Sequence, residues 1–226
     1  MPPAATPLAS PRRYQAILFD LLTALLDSWT VWDASAGSTG LGRAWRAAYL
    51  RRTYGCGAYR PYETLVREAA AEVGLDPACV AALAANWNTL APWPGAVATL
   101  QQLASTHRLG VVTNCSERLG HAAAQCVGVP FEVVITSERA GFYKPDPTPY
   151  RLALESLDLP PERVLFVAGS GYDLFGTAKV GLDTYWHNRI GLAAPDRAPD
   201  PLAESRTLDD LPRLAMLEVG TMPRPM

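Results

Sequence analysis

Short stretches of apolar, branched or aromatic residues recur along the chain, and longer stretches with helical spacing separate them. Each apolar stretch is continuous rather than alternating, which is typical of strands buried on both faces of a parallel sheet. Strands that alternate with helices predict an α/β fold, a doubly wound parallel sheet with helices on both sides. The predicted strands are residues 15–19, 109–113, 132–136, 164–168 and 183–187, and helical segments cover 93–106, 116–128 and 147–157.

One long interval, residues 28–93, breaks this alternation, because it carries helical patterning without a convincing strand. Its helix candidates are residues 40–52, 61–74 and 76–90. An insertion of this length after the first strand predicts a small helical cap domain, which can exclude water from a site at the strand ends. The predicted organisation is a disordered leader (1–13), a core domain (14–27 and 94–215), the cap domain (28–93) and a loose C-terminal tail (216–226).

Composition narrows the classes of partner. The 226 residues are 49% hydrophobic, enough for a substantial core, and a formal net charge of −2 offers no broad attraction to nucleic acid or anionic membranes. The apolar stretches are far shorter than the roughly 20 residues of a membrane-spanning helix, and the leader lacks the apolar segment of a signal peptide. The four cysteines form no CxxC pair, which indicates reduced thiols and a cytoplasmic protein.

Polar residues follow several of the predicted strands. In a doubly wound sheet the ligand site lies beyond the carboxyl ends of the strands, so these residues are candidates for a common site. Asp20 directly follows the first strand in AILFDLLTALLDSW, where it would either cap a helix or act as a nucleophile or general base. Thr113 and Asn114 end the second strand in VVTNCSER, where small donors beside a helix N-terminus can bind an anion.

Two further stretches supply a lysine and a second acid. In GFYKPDPTPY, Pro145 restricts Lys144 to extended backbone and a helix start follows, so the lysine is held in a stiff frame. In VLFVAGSGYDLFGTA, Asp173 lies where a helix is expected to begin, and Ser170 precedes it. We expect Asp173 to face Lys144 at the same edge of the sheet.

These four stretches, in this order, resemble the motifs of the haloacid dehalogenase superfamily over residues 14–192. The resemblance implies a Rossmann-like core with a cap inserted after the first strand, and covalent catalysis through Asp20. Most members are magnesium-dependent phosphatases with D-x-D at the first site and G-D at the fourth. Here Leu22 replaces the second acid and Ala168-Gly169 replaces G-D, so the leaving-group acid and magnesium ligands are missing.

The sequence is instead similar to the 2-haloacid dehalogenase branch, which uses neither metal nor other cofactor. A halide leaves without a proton, so no second acid beside Asp20 is required. The first site of that branch is usually D-L-Y-G-T-L but reads DLLTAL here, and the fourth-site Asn of several relatives is Ser170. The similarity rests on YKPDP, the aromatic-acid pair Tyr172-Asp173, the closing TYWHNR and Trp45-Arg46 in the cap.

The resemblance also implies a reaction. Asp20, oriented by Lys144, attacks C2 of a short 2-haloalkanoic acid, and water activated by Asp173 hydrolyses the resulting ester to the 2-hydroxy acid. The implied catalytic residues are Asp20, Lys144, Asp173 and Ser170. The implied substrate-binding residues are Arg46 and Asn114 for the halide, Thr113 and the backbone at Leu21 for the carboxylate, and Leu22, Trp45 and Tyr172 as apolar walls.

The sequence leaves three alternatives open. The same attack could open a strained C–N bond in a small cyclic amino acid such as azetidine-2-carboxylate, where Asp27, Trp29 and Trp32 would suit a protonated ring nitrogen. A phosphatase or phosphonatase-like enzyme, or a non-catalytic carboxylate binder, could use the same scaffold. Homodimers are common among relatives, so a homodimer is open as well.

Overall fold

The computed structural model describes residues 12–216. The predicted leader and tail therefore lie outside the described residues, apart from positions 12, 13 and 216. Within the described part of the chain, the helices are too short or too polar for any of them to span a membrane.

Six parallel strands form a single sheet. They are β1 (Ala16–Phe19), β2 (Arg108–Thr113), β3 (Val133–Thr136), β4 (Val164–Ala168), β5 (Asp183–His187) and β6 (Ala203–Ser205). Their order is β3-β2-β1-β4-β5-β6, which places β1 near the centre, where Phe19 pairs with both Val111 and Val167. The predicted parallel sheet is confirmed, and the five predicted strands match to within one residue at each end. Strand β6 was not predicted, because its AES segment is short and polar at the edge of the sheet.

Helices cover both faces of the sheet and build the cap. They are α1 (Ser28–Ala36), α2 (Thr39–Gly55), α3 (Tyr62–Glu72), α4 (Pro77–Ala85), α5 (Ala96–Ala104), α6 (Glu117–Cys126), α7 (Ser137–Ala140), α8 (Pro147–Leu157), α9 (Asp173–Val180) and α10 (Leu211–Ala215), with 3₁₀ turns at Trp87–Thr89 and Pro161–Arg163. The candidate over 76–90 is therefore α4 followed by a 3₁₀ turn. Helix α1 was not predicted, because its Ser, Thr, Val and Trp residues are weak helix formers. Packing stabilises α1 instead, since the Trp32 ring contacts the Trp45 ring of α2 edge-on, with ring centroids 4.7 Å apart.

Alternate residues of β1 belong to two hydrophobic clusters, one on each face of the sheet. Ile17 and Phe19 lie in the first cluster, whereas Ala16 and Leu18 lie in the second. The first cluster continues without interruption into the cap, where it includes buried tryptophan, leucine and tyrosine side chains of α1, α2 and α3. The cap therefore shares a hydrophobic core with one face of the sheet.

Several contacts seat the cap over the carboxyl ends of β1, β2 and β4. Leu26 and Pro92 form an antiparallel bridge between the segments that enter and leave the cap. Tyr59 stacks on Tyr143 with ring centroids 5.3 Å apart, and the Tyr49 hydroxyl donates to the Asn114 carbonyl at 3.2 Å. These contacts cover the polar residues at that edge.

Candidate active site

The carboxylate of Asp20 lies directly beyond β1 and is buried. Its Oδ2 accepts hydrogen bonds from the backbone N–H groups of Thr23 (3.0 Å) and Ala24 (3.2 Å) and from the Thr23 hydroxyl. Its Oδ1 accepts one from Lys144 Nζ at 2.8 Å. Burial alone would raise the pKa of Asp20, but the charge of Lys144 and these hydrogen bonds lower it below its ordinary value. Asp20 is therefore held as a carboxylate.

Lys144 lies between two buried acids, with Nζ 2.8 Å from Asp20 Oδ1 and 3.0 Å from Asp173 Oδ1. Burial works against its charge, but the attraction of Asp173 and Asp20 raises the pKa of Lys144. Burial raises the pKa of Asp173, which begins α9, and the charge of Lys144 offsets this only in part. Asp173 Oδ1 also accepts a hydrogen bond from the Tyr150 hydroxyl at 2.6 Å. Of the two acids, Asp173 is the more easily protonated.

Asn114, which follows β2, holds the backbone of Lys144 from both sides. Its Nδ2 donates to the Lys144 carbonyl at 3.0 Å, and its Oδ1 accepts from the Lys144 N–H at 2.7 Å. The Ser137 hydroxyl donates to the same Oδ1 at 2.8 Å and fixes the amide in turn. The stiff frame that the sequence attributes to Pro145 is thus strengthened by a side-chain clamp.

Arg46 enters the site from α2 of the cap and is buried. Its Nη1 donates to the Ser28 hydroxyl at 2.7 Å, and its guanidinium lies 4.0 Å from the ring centroid of Trp29. Among residues 12–216 it has no ion-pair partner, and its Nε makes no hydrogen bond. A buried cation without an acidic partner favours binding of an anion.

These groups line one cavity of about 240 Å³ between the core and the cap. Its charged side chains come from β1, α2, the segment before α8 and the start of α9, so the fold joins four separate parts of the sequence there. Eight of the eleven predicted site residues line it: Asp20, Leu22, Arg46, Asn114, Lys144, Ser170, Tyr172 and Asp173.

The other three predicted residues lie outside the cavity lining. Trp45 is fully buried inside the cap and donates its Nε1–H to the Val66 carbonyl at 2.8 Å. Neighbouring helix positions point about 100° apart, so Trp45 faces the cap interior while Arg46 faces the cavity. Thr113 is buried at the end of β2, and the Leu21 side chain packs into the first cluster. The side chains of Trp45 and Thr113 therefore do not line the cavity, whereas the prediction for Leu21 concerns its backbone N–H and does not depend on its side chain.

Four further residues contact the charged groups of the site, and of these the sequence named only Trp29, for the ring-nitrogen alternative. Thr23 and Tyr150 donate to the two acids, while Ser28 and Trp29 contact Arg46. A hydroxyl three residues after an aspartate is a recurrent turn contact, so Thr23 carried a usable signal. Ser28 and Tyr150 reach the site through tertiary packing and carried none, and the contact of Trp29 with Arg46 was not predicted.

The residues present do not fit a phosphatase magnesium site. Leu22 brings an apolar side chain to the cavity where the second acid of D-x-D would lie. A Cβ atom at Gly169, where the aspartate of G-D would lie, would overlap Thr23 Oγ1 and Ala24 N. No cluster of three or more His, Cys, Asp or Glu side chains suited to a metal ion occurs among residues 12–216.

Comparison with known proteins identifies the family. The sequence model of the haloacid dehalogenase-like hydrolases matches residues 14–181. The chain is 29% identical to (S)-2-haloacid dehalogenase H-109 of Pseudomonas putida, over 87% of this chain and 96% of that protein. It is 30% identical to the (S)-2-haloacid dehalogenase of Xanthobacter autotrophicus, over 74% of this chain and 72% of that protein.

A solved structure agrees with these matches. The L-2-haloacid dehalogenase of Xanthobacter autotrophicus with chloropropionic acid covalently bound superposes with a TM-score of 0.77 at 26% identity, over 89% of this chain and 98% of that chain. A second L-2-haloacid dehalogenase structure superposes with a TM-score of 0.80 at 25% identity, over 90% of this chain and 99% of that chain. The family predicted from the motifs is thus confirmed: the chain belongs to the haloacid dehalogenase-like hydrolases, in the 2-haloacid dehalogenase-like branch.

Proposed function

We propose that the chain is a metal-independent hydrolase that converts a short 2-haloalkanoic acid to the 2-hydroxy acid through an ester on Asp20. The observation that supports this most directly is the buried Asp20–Lys144–Asp173 chain. It shares a cavity with Arg46, a cation that has no acidic ion-pair partner in the described part of the chain. Halide displacement needs an ionised nucleophile and a separate site for the leaving anion, and this arrangement supplies both.

In the first step Oδ1 of Asp20 attacks C2, because Oδ2 already accepts three hydrogen bonds and Oδ1 accepts one. The Oδ1–C2 bond forms as the C2–halogen bond breaks, and the halide leaves with the electron pair, inverting C2. Lys144 keeps Asp20 ionised, and Arg46 stabilises the departing halide. Asn114 contributes by positioning Lys144, and Leu22 provides an apolar wall beside the reacting carbon.

In the second step water attacks Cγ of Asp20 and negative charge develops on Oδ2. The Thr23 hydroxyl and the N–H groups of Thr23 and Ala24 already point at that atom, so they form an oxyanion hole. Asp173 accepts one proton from the water, which Ser170 orients. The Cγ–Oδ1 bond then breaks, Asp173 returns that proton to the alkoxide, and the second proton passes to solvent as Asp20 regains its charge.

The test is halide release from chloroacetate and from each enantiomer of 2-chloropropionate with EDTA present. We expect release with inversion from one enantiomer, and loss of turnover in Asp20→Asn. A single turnover in oxygen-18 water should label Asp20 rather than the product, because the product oxygen comes from Oδ1. Turnover by pure Asp20→Asn protein, or label found first in the product, would contradict the ester mechanism.

The alternatives considered from the sequence find less support. A protonated ring nitrogen would meet the cation Arg46, whose guanidinium already covers Trp29, and Asp27 is engaged as the N-cap of α1 through Thr30. A phosphatase would need acids where Leu22 and Gly169 stand. A mere carboxylate binder has no use for a buried lysine bridging two acids.

A further inference from the structure

We infer that this site takes 2-haloalkanoic acids whose carbon chain extends about three carbons beyond that of propionate. The inference rests on the proposed dehalogenation and specifies its substrate class. The chain would lie against an outer apolar surface of the cavity, which we define as Leu50, Tyr54, Tyr172, Leu192, Ala193 and Pro195.

The outer apolar surface is continuous across the cap and the core. Leu50 and Tyr54 lie one turn apart on α2 and so share a face of that helix. Tyr54 meets the core by stacking on Tyr172, with ring centroids 4.5 Å apart. Pro195 in turn lies so close to Gly171 that no Cβ atom would fit there. The surface therefore runs from the cap helix, across the loop before α9, to the segment after β5.

The cavity is larger than a three-carbon haloacid requires. An apolar protein cavity of about 150 Å³ holds benzene, a ligand of about six non-hydrogen atoms, and 2-chloropropionate has the same number. The cavity here measures about 240 Å³. The difference leaves room for roughly three further carbon atoms at the same packing.

The side chains that line the cavity indicate which substituent would occupy the remaining space. The charged side chains that line the cavity are Asp20, Arg46, Lys144 and Asp173, all of which the proposed reaction uses. The outer apolar surface has no charged side chain, so a second carboxylate there would lose hydration without compensation. An alkyl chain would instead remove apolar area from water. Tyr172 lines the cavity and is 42% exposed, so we expect chains longer than the cavity to extend past it into solvent.

The test is kcat/KM for halide release along the series from 2-chloropropionate to 2-chlorohexanoate, with 2-chlorooctanoate as the longest member. Each of the three added methylenes should raise kcat/KM about fourfold, giving about 60-fold at hexanoate. The gain should then stop at octanoate, because the last carbons leave the cavity. Values that stay flat or fall from propionate onward would overturn the inference.

A matched pair of variants locates the effect. Ala193 and Ala194 are adjacent and both exposed, but only Ala193 lines the cavity. Ala193→Phe should fill the outer apolar surface and lower the hexanoate-to-propionate ratio of kcat/KM at least fivefold. Ala194→Phe should leave that ratio unchanged, and equal effects of the two variants would contradict the assignment.

Binding of unreactive ligands separates this inference from the proposed reaction. We would measure Kd by calorimetry for lactate and for its longer homologues up to 2-hydroxyhexanoate, which need no halide release. If the affinity for 2-hydroxy acids rises with their chain length but no chloroacid is hydrolysed, the proposed reaction is wrong and the chain-length preference stands. If chloroacids are hydrolysed but neither Kd nor kcat/KM depends on chain length, the proposed reaction stands and the chain-length preference is wrong.

Discussion

A single hydroxyl, that of Thr23, is expected to control hydrolysis of the ester on Asp20. Thr23→Val removes one of three donors to Oδ2 and should slow the second step about 10²- to 10³-fold. Halide formation in the first turnover should be affected less, so rapid-quench measurements should show a burst of about one halide per site. Thr23→Ser keeps the hydroxyl and is the matched control. Equal losses in burst rate and kcat would assign Thr23 to the first step instead.

The two acids should give the two steps different pH dependences. Asp20 attacks as a carboxylate, and its pKa lies below the ordinary value of about 3.9, so the first step should survive to low pH. Asp173 acts as a base, and burial raises its pKa, so the second step should fail at a higher pH as acid protonates it. From pH 8 down to pH 4, single-turnover halide release should therefore stay level, whereas steady-state kcat should fall on the acid side. Coincident acid limbs, or halide release that falls at a higher pH than kcat, would contradict these roles.

Some residue positions were predictable from the sequence, and others were not. Asp20 follows β1, Asp173 begins α9 and Lys144 lies in the segment between β3 and α8, and parallel topology brings such positions to one edge. Trp45 was placed in the cavity because it neighbours Arg46, but helix geometry turns it away. Trp29, which covers Arg46, depends on how α1 packs against α2, and no local pattern encodes that contact.

Helix α8 lies behind the site and supports Asp173 through a hydrogen bond. It carries Tyr150, whose hydroxyl donates to Asp173, and Gly176 of α9 leaves the space that the Tyr150 ring occupies. This hydrogen bond favours the charged form of Asp173 and so lowers its pKa. The Asp173 base is thus tuned by a helix that does not line the cavity.

Tyr150→Phe should therefore raise the pKa of Asp173 further. The acid limb of steady-state kcat should move to higher pH, while the plateau above it changes little. Tyr14→Phe is the control, because its hydroxyl bonds Asp183 at the opposite end of the sheet and should leave the limb in place. A Tyr150→Phe profile that superposes on the parent profile would remove Tyr150 from the tuning of Asp173.

The strands that are buried on both faces were predictable, whereas the short edge elements and helix α1 were not. The five continuous apolar strands were found, since burial on both faces leaves an unambiguous pattern. The edge strand β6 and the short helix α7 have too few buried residues to leave one. Helix α1 was not predicted because its stability comes from packing within the cap rather than from helix propensity.

The cap and the core were predicted as separate domains, yet the first hydrophobic cluster passes through both. It includes Ile17 and Phe19 of the sheet together with Trp32, Trp45 and Leu65 of the cap. A shared core couples the stability of the two parts, because neither can lose its packing without exposing the other. The site depends on this coupling, since Arg46 belongs to the cap and Asp20 to the core.

Unfolding should therefore be a single cooperative transition in urea. Four of the six tryptophans lie in the described cap helices or in the adjoining 3₁₀ turn, so fluorescence reports mainly on the cap, whereas far-UV circular dichroism reports on the whole chain. The two signals should share one midpoint.

Leu65 is a fully buried residue of the cap, and Leu65→Ala opens a cavity in the first cluster. This variant should lower the free energy of unfolding by about 2–5 kcal/mol and shift both midpoints together to lower urea concentration. Leu41→Ala, on an exposed position of α2, should change neither. A fluorescence midpoint that moves alone would mean that the cap unfolds independently, and that the cation and the nucleophile are joined by contact rather than by a common core.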